Sequence, residues 1–329
     1  MKSNFIYIFF ICVLINLFNT QSISAKEIFN FNVSEIEIKE NGNIVKGYNG
    51  GEAFTNDGIY IKAQNFEYNK VSKTLISKGN VIFKDKNTNI TISADQILYL
   101  KTLEKVIADG SVKIKDANKN ITIFTKKIEY LKKINKILTN GETNLNLDSK
   151  YKFNSKNITF LRDEMRLYSS HKTIISDNNF SLYNLSSFDY QIEKELLKGK
   201  DIFIVENSNL PKGESDEYFF TNGFFDLKNQ NFKTGEAKIK LKKNIFGRAD
   251  NDPRIYGASL SKKDGISSIK KAVFTSCKKT DSCPPWRLEA SEIKHDKKKK
   301  QLIYDDTVLK LYDIPIFYFP KFFHPDPTV

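Results

Sequence analysis

Apolar and polar residues alternate with a period of two along most of this chain. Ile90-Thr-Ile92, Val112-Lys-Ile114 and Leu145-Asn-Leu147 each put apolar side chains on one face and polar ones on the other, as half-buried strands do. After Ile90 and Ile92 the parity switches, because the next apolar pair is Ile97 and Tyr99. A strand that changes which residues face inward needs a bulge or a sharp bend. No segment of useful length beyond the N-terminal 25 residues shows a helical period, so the pattern predicts an all-β fold.

The alternation itself repeats. Residues 63–92 align with 94–123 under a shift of 31, which sets Tyr68 on Tyr99, Gly79 on Gly110, Val81 on Val112, Phe83 on Ile114, Ile90 on Ile121 and Ile92 on Ile123. A third copy keeps Tyr130, Gly141, Leu145 and Leu147, and a fourth keeps Ile158 and Phe160 before drifting. Such a period marks a repeat architecture in which each unit stacks on the next. Each unit reads as two bent antiparallel strands joined by polar turns such as "KDKNTN" and "KDANKN". Gly79, Gly110 and Gly141 occupy a second equivalent place, expected to serve another corner. Less regular strands follow around Gly199 and Gly235 and over residues 286–312.

The inward positions Val81, Phe83, Ile90, Ile92, Val112, Ile114, Ile121, Ile123, Leu145 and Leu147 form recurring apolar rows. In a closed sandwich they are ordinary core. In an open, folded sheet they line a continuous apolar trough along the stacking axis. Exposing an acyl chain costs about 0.8 kcal/mol per methylene, on the order of 10 kcal/mol for about twelve, so a lipid carrier has to enclose it. The unpaired strands at both ends of such a stack invite strand addition from a partner.

The chain ends differ from the middle. Lys2 is the only charge in residues 1–25, and an apolar run from Phe5 to Leu17 leads into "SISA", the form of a secretory signal peptide cleaved after Ala25. The apolar run is short against the ~20 residues of a spanning helix, the rival reading. Residues 313–329, "DIPIFYFPKFFHPDPTV", place Pro315, Phe317, Tyr318 and Pro320 in an aromatic, proline-broken tail. Proline donates no ladder hydrogen bond, so the tail is an edge strand or an irregular connector rather than a central strand.

Loss of the signal takes Lys2 with it and lowers the formal net charge from +13 to +12. A basic exported chain suits an anionic partner such as a phosphorylated glycolipid, although the abundance of Lys, Asn and Ile equally fits compositional bias. Export argues against nucleic acid. Cys12 lies in the signal, which leaves Cys277 and Cys283 as candidates for a disulfide in an oxidising compartment. Zinc is the alternative, yet His171, His295 and His324 lack ligand spacing to the pair. There is no nucleophile elbow, no Ser-His-acid pattern and no phosphate-cradling glycine loop. The chain therefore reads as a non-enzyme, with no metal and no cofactor expected.

The repeated "ADQILY" and A/S-x-G-x-V grammar resembles the OstA-like periplasmic domains of the lipopolysaccharide (LPS) transport bridge. "NDPRIYGASL", "FTSCKKTDSCPPWRLEASEIKHD" and "LKLYDIPIFYFPKFFHPDPTV" look like the segment of outer-membrane LPS-assembly proteins, the LptD family, that joins the periplasmic domain to the barrel. The resemblance covers essentially the whole mature chain and is most specific over residues 251–329. It implies an OstA-like β-jellyroll, or β-taco, over residues 26–312, whose inner face carries the acyl chains of lipid A. It also implies that residues 313–329 connect to an outer-membrane barrel that the chain does not contain. The implied partners are LPS, an OstA-like bridge protein joined by edge-strand addition, and the barrel with its lipoprotein plug. The implied location is the periplasm of a Gram-negative cell, at the outer membrane. Family members form disulfides between this domain and the barrel, and Cys277 and Cys283 correspond in region to such a cysteine. Two other readings are a soluble component of the LPS bridge and a structural β-repeat protein that binds an anionic polymer.

Overall fold

The computed structural model describes residues 28–243, 251–278, 285–296 and 298–325. The predicted signal peptide and Cys283 lie outside the described residues. Within them, 25 strands from Asn30–Lys39 to Ile314–Pro325 join into one sheet, and every pairing is antiparallel. The fold is all-β, consistent with a jellyroll-like architecture, and no described helix is long and apolar enough to cross a membrane.

The sheet is folded along one line. In the strand Thr74–Asp85, residues 74–78 pair with Asn65–Asn69, while residues 82–85 pair with Ile59–Ala63. One strand thus serves two walls, and the same holds for Ile90–Leu100, Lys105–Asp116, Ile121–Leu131 and Lys136–Leu147. We call the wall containing residues 74–78 the first and the wall containing residues 82–85 the second. The crease is where register shifts fall, between Lys78 and Val81 and between Ser93 and Gln96 in neighbouring pairings. The opposite margin, where hairpin turns close the strands, is the mouth.

The sequence suggested two corners per unit, and the structure makes them one. Strands with Gly79, Gly110 or Gly141 cross the crease through that glycine at φ of +82°, +78° or +90°. The strands between them cross by switching parity, as from Ala94 to Ile97. Both devices lie side by side on the same crease. The glycine-bearing strands are 12 residues each and begin at Thr74, Lys105 and Lys136, intervals of 31.

Bending a strand leaves backbone groups without ladder partners, and small hydroxyls on the inner side of the crease take them. Thr139 Oγ1 accepts from the Ile158 N–H at 2.8 Å, and Thr234 Oγ1 accepts from the Leu260 N–H at 3.3 Å. Ser155 and Thr173 share a hydrogen bond of 2.7 Å. The rest of the interior is one apolar cluster that runs from Phe29 to Tyr304.

Two glycines separate backbone strain from steric exclusion. An alanine Cβ at Gly141 would meet nothing within 4 Å, so only the positive φ of +90° penalises it. At Gly51, φ +156°, the Cβ would lie 2.4 Å from Asn32 O and 2.7 Å from Val33 Cα. Gly141→Ala should cost about 1 kcal/mol, and Gly51→Ala about 3 kcal/mol because backbone must move. Equilibrium urea unfolding of both variants measures the difference.

Candidate functional site

The space between the walls is the feature that this fold builds along its whole length. On the second wall, direct register partners form one unbroken inward row. It runs Phe31, Ala53, Ile61, Phe83, Ile92, Ile114, Ile123, Leu145, Phe153, Ile175 and Tyr183. It continues Ile204, Tyr218, Ile239, Ile255, Phe274, Leu288, Leu309 and Phe317. Nineteen residues in succession carry no charge and no polar group beyond two phenols. At about 4.8 Å per strand, the row spans about 85 Å measured across the sheet.

The ten residues expected to line the trough all face inward. Val81, Phe83, Ile90, Ile92, Val112, Ile114, Ile121, Ile123, Leu145 and Leu147 are between 0 and 3% exposed. In this stretch the walls pack against each other and the interior is closed. Near the middle of the fold Tyr151, Phe153, Ile175, Tyr183, Tyr190, Leu197 and Leu227 surround a gap too narrow to hold a water molecule. Towards the last strands the same face opens. Phe274, Leu288 and Leu309 are half-buried, whereas Leu311, Ile314, Phe317 and Phe319 are 42, 63, 57 and 39% exposed.

The closed stretch is fastened across its mouth by ion pairs. Lys101, on a first-wall turn, reaches Asp57 on a second-wall turn. Lys132 Nζ lies 3.1 Å from Asp85 Oδ2, and Arg162 donates from Nε to Asp116 Oδ2 at 2.8 Å. Arg162 Nη2 also donates to Thr88 O at 3.1 Å. A further rung has reversed polarity, with Lys150 of the second wall donating to Glu195 Oε2 of the first at 2.6 Å. Asp85 and Asp116 are each 1% exposed, so these charges are held inside the protein rather than on its surface.

The latch also shapes its neighbours. Lys101 and Lys132 each stand 5.8 Å from the Tyr99 ring, in cation–π range. Tyr99 Oη is buried without a hydrogen-bond partner among the described residues, and burial pushes its phenol up. Burial also pushes the Asp57 carboxyl up, but the hydrogen bonds from Lys101 and Thr55 outweigh it and leave the group below the usual carboxylate range.

The remaining candidates fall elsewhere. Pro315, Phe317, Tyr318 and Pro320 lie on the strand Ile314–Pro325, which pairs with Gln301–Leu311 and is bulged where Lys310 meets Pro315. The expected connector is therefore, over its described part, an edge strand. Cys277 is half-buried just past the strand Ile266–Thr275, with Sγ 3.7 Å from Trp286 O, while Cys283 is outside the described residues. No cluster of three or more metal-ligating side chains occurs among the described residues.

A separate depression of about 660 Å³ lies on the outer face beside the crease, among Phe203, Phe219, Tyr256, Lys238 and Lys271. Its Phe203 and Phe219 rings stack at 4.5 Å, with Lys240 over Phe219 at 4.6 Å.

Reasoning from sequence missed the latch. Its signal was present: Asp85 and Asp116, like Lys101 and Lys132, stand 31 residues apart, inside segments that read as solvated turns. Against protein-family models and against curated proteins, the chain gives no match. Fold and geometry alone therefore define the class, a single β-sheet folded into an apolar trough.

Removing one member of a buried pair strands the other charge. Arg162→Ala should destabilise the protein by about 3 kcal/mol, because it leaves Asp116 buried and uncompensated. Lys150→Ala should cost less than about 1 kcal/mol, because its side chain is half in solvent. Urea unfolding of both variants checks the contrast.

Proposed function

We propose that this protein is a lipid conduit of the LPS transport pathway, in which acyl chains lie between the two walls. The observation that carries this reading is the nineteen-residue apolar row. A row unbroken along the whole stacking axis is what a continuous trough for acyl chains requires. Its opening at the last strands supplies an exit or entry point for a chain that must stay out of water. In this reading the chain works in the periplasm at the outer membrane, and the exposed aromatic edge strand Ile314–Pro325 faces the membrane barrel and its plug. At the other end the strand Asn30–Lys39 pairs on one side only among the described residues and exposes Ile36 and Ile38. That edge suits strand addition by an OstA-like bridge protein. Passage through the latched stretch requires the mouth pairs to separate.

A second reading is favoured by the closed packing at Phe83, Ile92, Ile114 and Leu145. A structural repeat protein would have such a dry core and would use its basic surface to hold an anionic polymer. Organic extraction of the purified protein followed by mass spectrometry separates the two, since only a conduit yields co-purified glycolipid.

The conduit reading makes a face-specific prediction. Photo-crosslinkers at Ile92, Ile121, Leu145 and Leu309 should capture LPS, whereas those at Thr91, Thr122 and Val308, their outward neighbours, should not. Equal capture from both faces would refute it.

A further inference from the structure

At the first strand the space between the walls is filled by a side chain from outside the ladder. Phe29 lies one residue before the strand Asn30–Lys39 and enters no ladder pair, yet it is only 1% exposed. Its ring stands edge-on to Tyr68 at 5.0 Å and to Tyr99 at 6.1 Å, and 6.3 Å from Phe31. Tyr68 and Tyr99 belong to the inward row of the first wall that runs Ile38, Val45, Tyr68, Leu75, Tyr99. Asn30–Val33 pairs with the second-wall half of the next strand, so Phe29 reaches from the second wall across the mouth to the first.

The walls are offset along the stack. Asp57 on a second-wall turn meets Lys101, which follows the strand Ile90–Leu100, so each second-wall strand faces a first-wall strand farther along. The start of the first wall is thereby left without a facing wall. Ile36 and Ile38 are inward by register with Gly47 and Val45, yet they are 53 and 61% exposed. They form an apolar shelf open to solvent, and the cover of that row begins at Phe29.

The segment that carries Phe29 can part from the fold separately. The ladder of Asn30–Lys39 is interrupted between Val33 and Glu35, so residues 30–33 are a half-strand of four pairs with residues 51–54. Its other edge has no partner among the described residues. Opening it leaves Glu35–Lys39 paired, and short edge segments of this kind open at far lower cost than a whole fold.

We infer that residues 28–33 are a detachable stopper, hinged at Ser34, in which Phe29 holds the place between the walls that an acyl chain takes when the stopper lifts. A ring and an acyl chain compete for the same contacts, because burial of apolar surface is not directional. The inference rests on the conduit reading and adds a gate at the end of the trough whose edge strand is free for strand addition.

The test places photo-crosslinkers at Ile61, two strands in from Phe31 on the same inward row, and at Leu309 near the open end, and presents LPS in micelles. In a Cys277→Ser, Cys283→Ser background, Asn30→Cys and Phe54→Cys are register partners that tie the half-strand down when oxidised, the bond being verified by loss of free thiols. Oxidation should cut capture at Ile61 about tenfold relative to the reduced form, with capture at Leu309 unchanged. Phe29→Ala, with the circular dichroism of the fold intact, should raise capture at Ile61 about threefold over the wild type. Undiminished capture at Ile61 after oxidation overturns the stopper and leaves the conduit standing. Capture at Leu309 with none at Ile61 in the reduced protein does the same. Absence of capture at both positions in every form overturns the conduit reading as well.

Discussion

The rest of the structure depends on carrying an apolar face around a bend. A flat sheet with one apolar face must find a second layer to cover it, and this chain supplies that layer by folding its own sheet. Each strand then has to present apolar residues inward on both walls. Strands such as Lys105–Asp116 manage this with a left-handed glycine at the crease, and strands such as Ile90–Leu100 by shifting the inward parity from Ala94 to Ile97. Without both devices the inward set on one wall would turn to solvent. The crease threonines Thr139 and Thr234 complete the arrangement by taking backbone N–H groups that the bend frees.

Once the sheet is folded, the distance between the walls becomes the variable that matters. In the regular repeats Phe83, Ile92 and Leu145 meet the first wall directly, and the mouth is crossed by buried ion pairs. Buried pairs of this kind contribute little net stability over an apolar replacement, but they impose a register, because a lone buried charge is costly. The latch therefore specifies how the two walls align more than it strengthens the fold. Beyond Leu147 the strands vary from 3 to 12 residues, and the inward residues grow more exposed until Phe317 stands largely in solvent. Closure marks one end, and access the other.

Much of this was legible in the sequence because the repeats share one pattern. Period-two alternation identified the strands, the change from Ile92 to Ile97 required a bend, and the aligned glycines marked corners. Two facts were not readable. One is that both kinds of corner belong to the same crease, which depends on which strands are neighbours. The other is the latch: Asp85 and Lys132 lie far apart in sequence, and lysines in a chain this rich in lysine carry little information one by one. The regular rows of the trough could be read residue by residue, while its fastening and its open end could be read only from the fold.

The central claim is that acyl chains occupy the space between the walls and touch the inward row. Methyl NMR on protein with labelled isoleucine, leucine and valine, bound to LPS in micelles, tests it most directly. The account predicts intermolecular NOEs from acyl-chain protons to the methyl groups of Leu288 and Leu309, weakening towards Ile255 and Ile239, and none to the outward Val273 and Val308. Contacts of equal strength to Val273 and Val308, or none to the inward methyl groups, would contradict it.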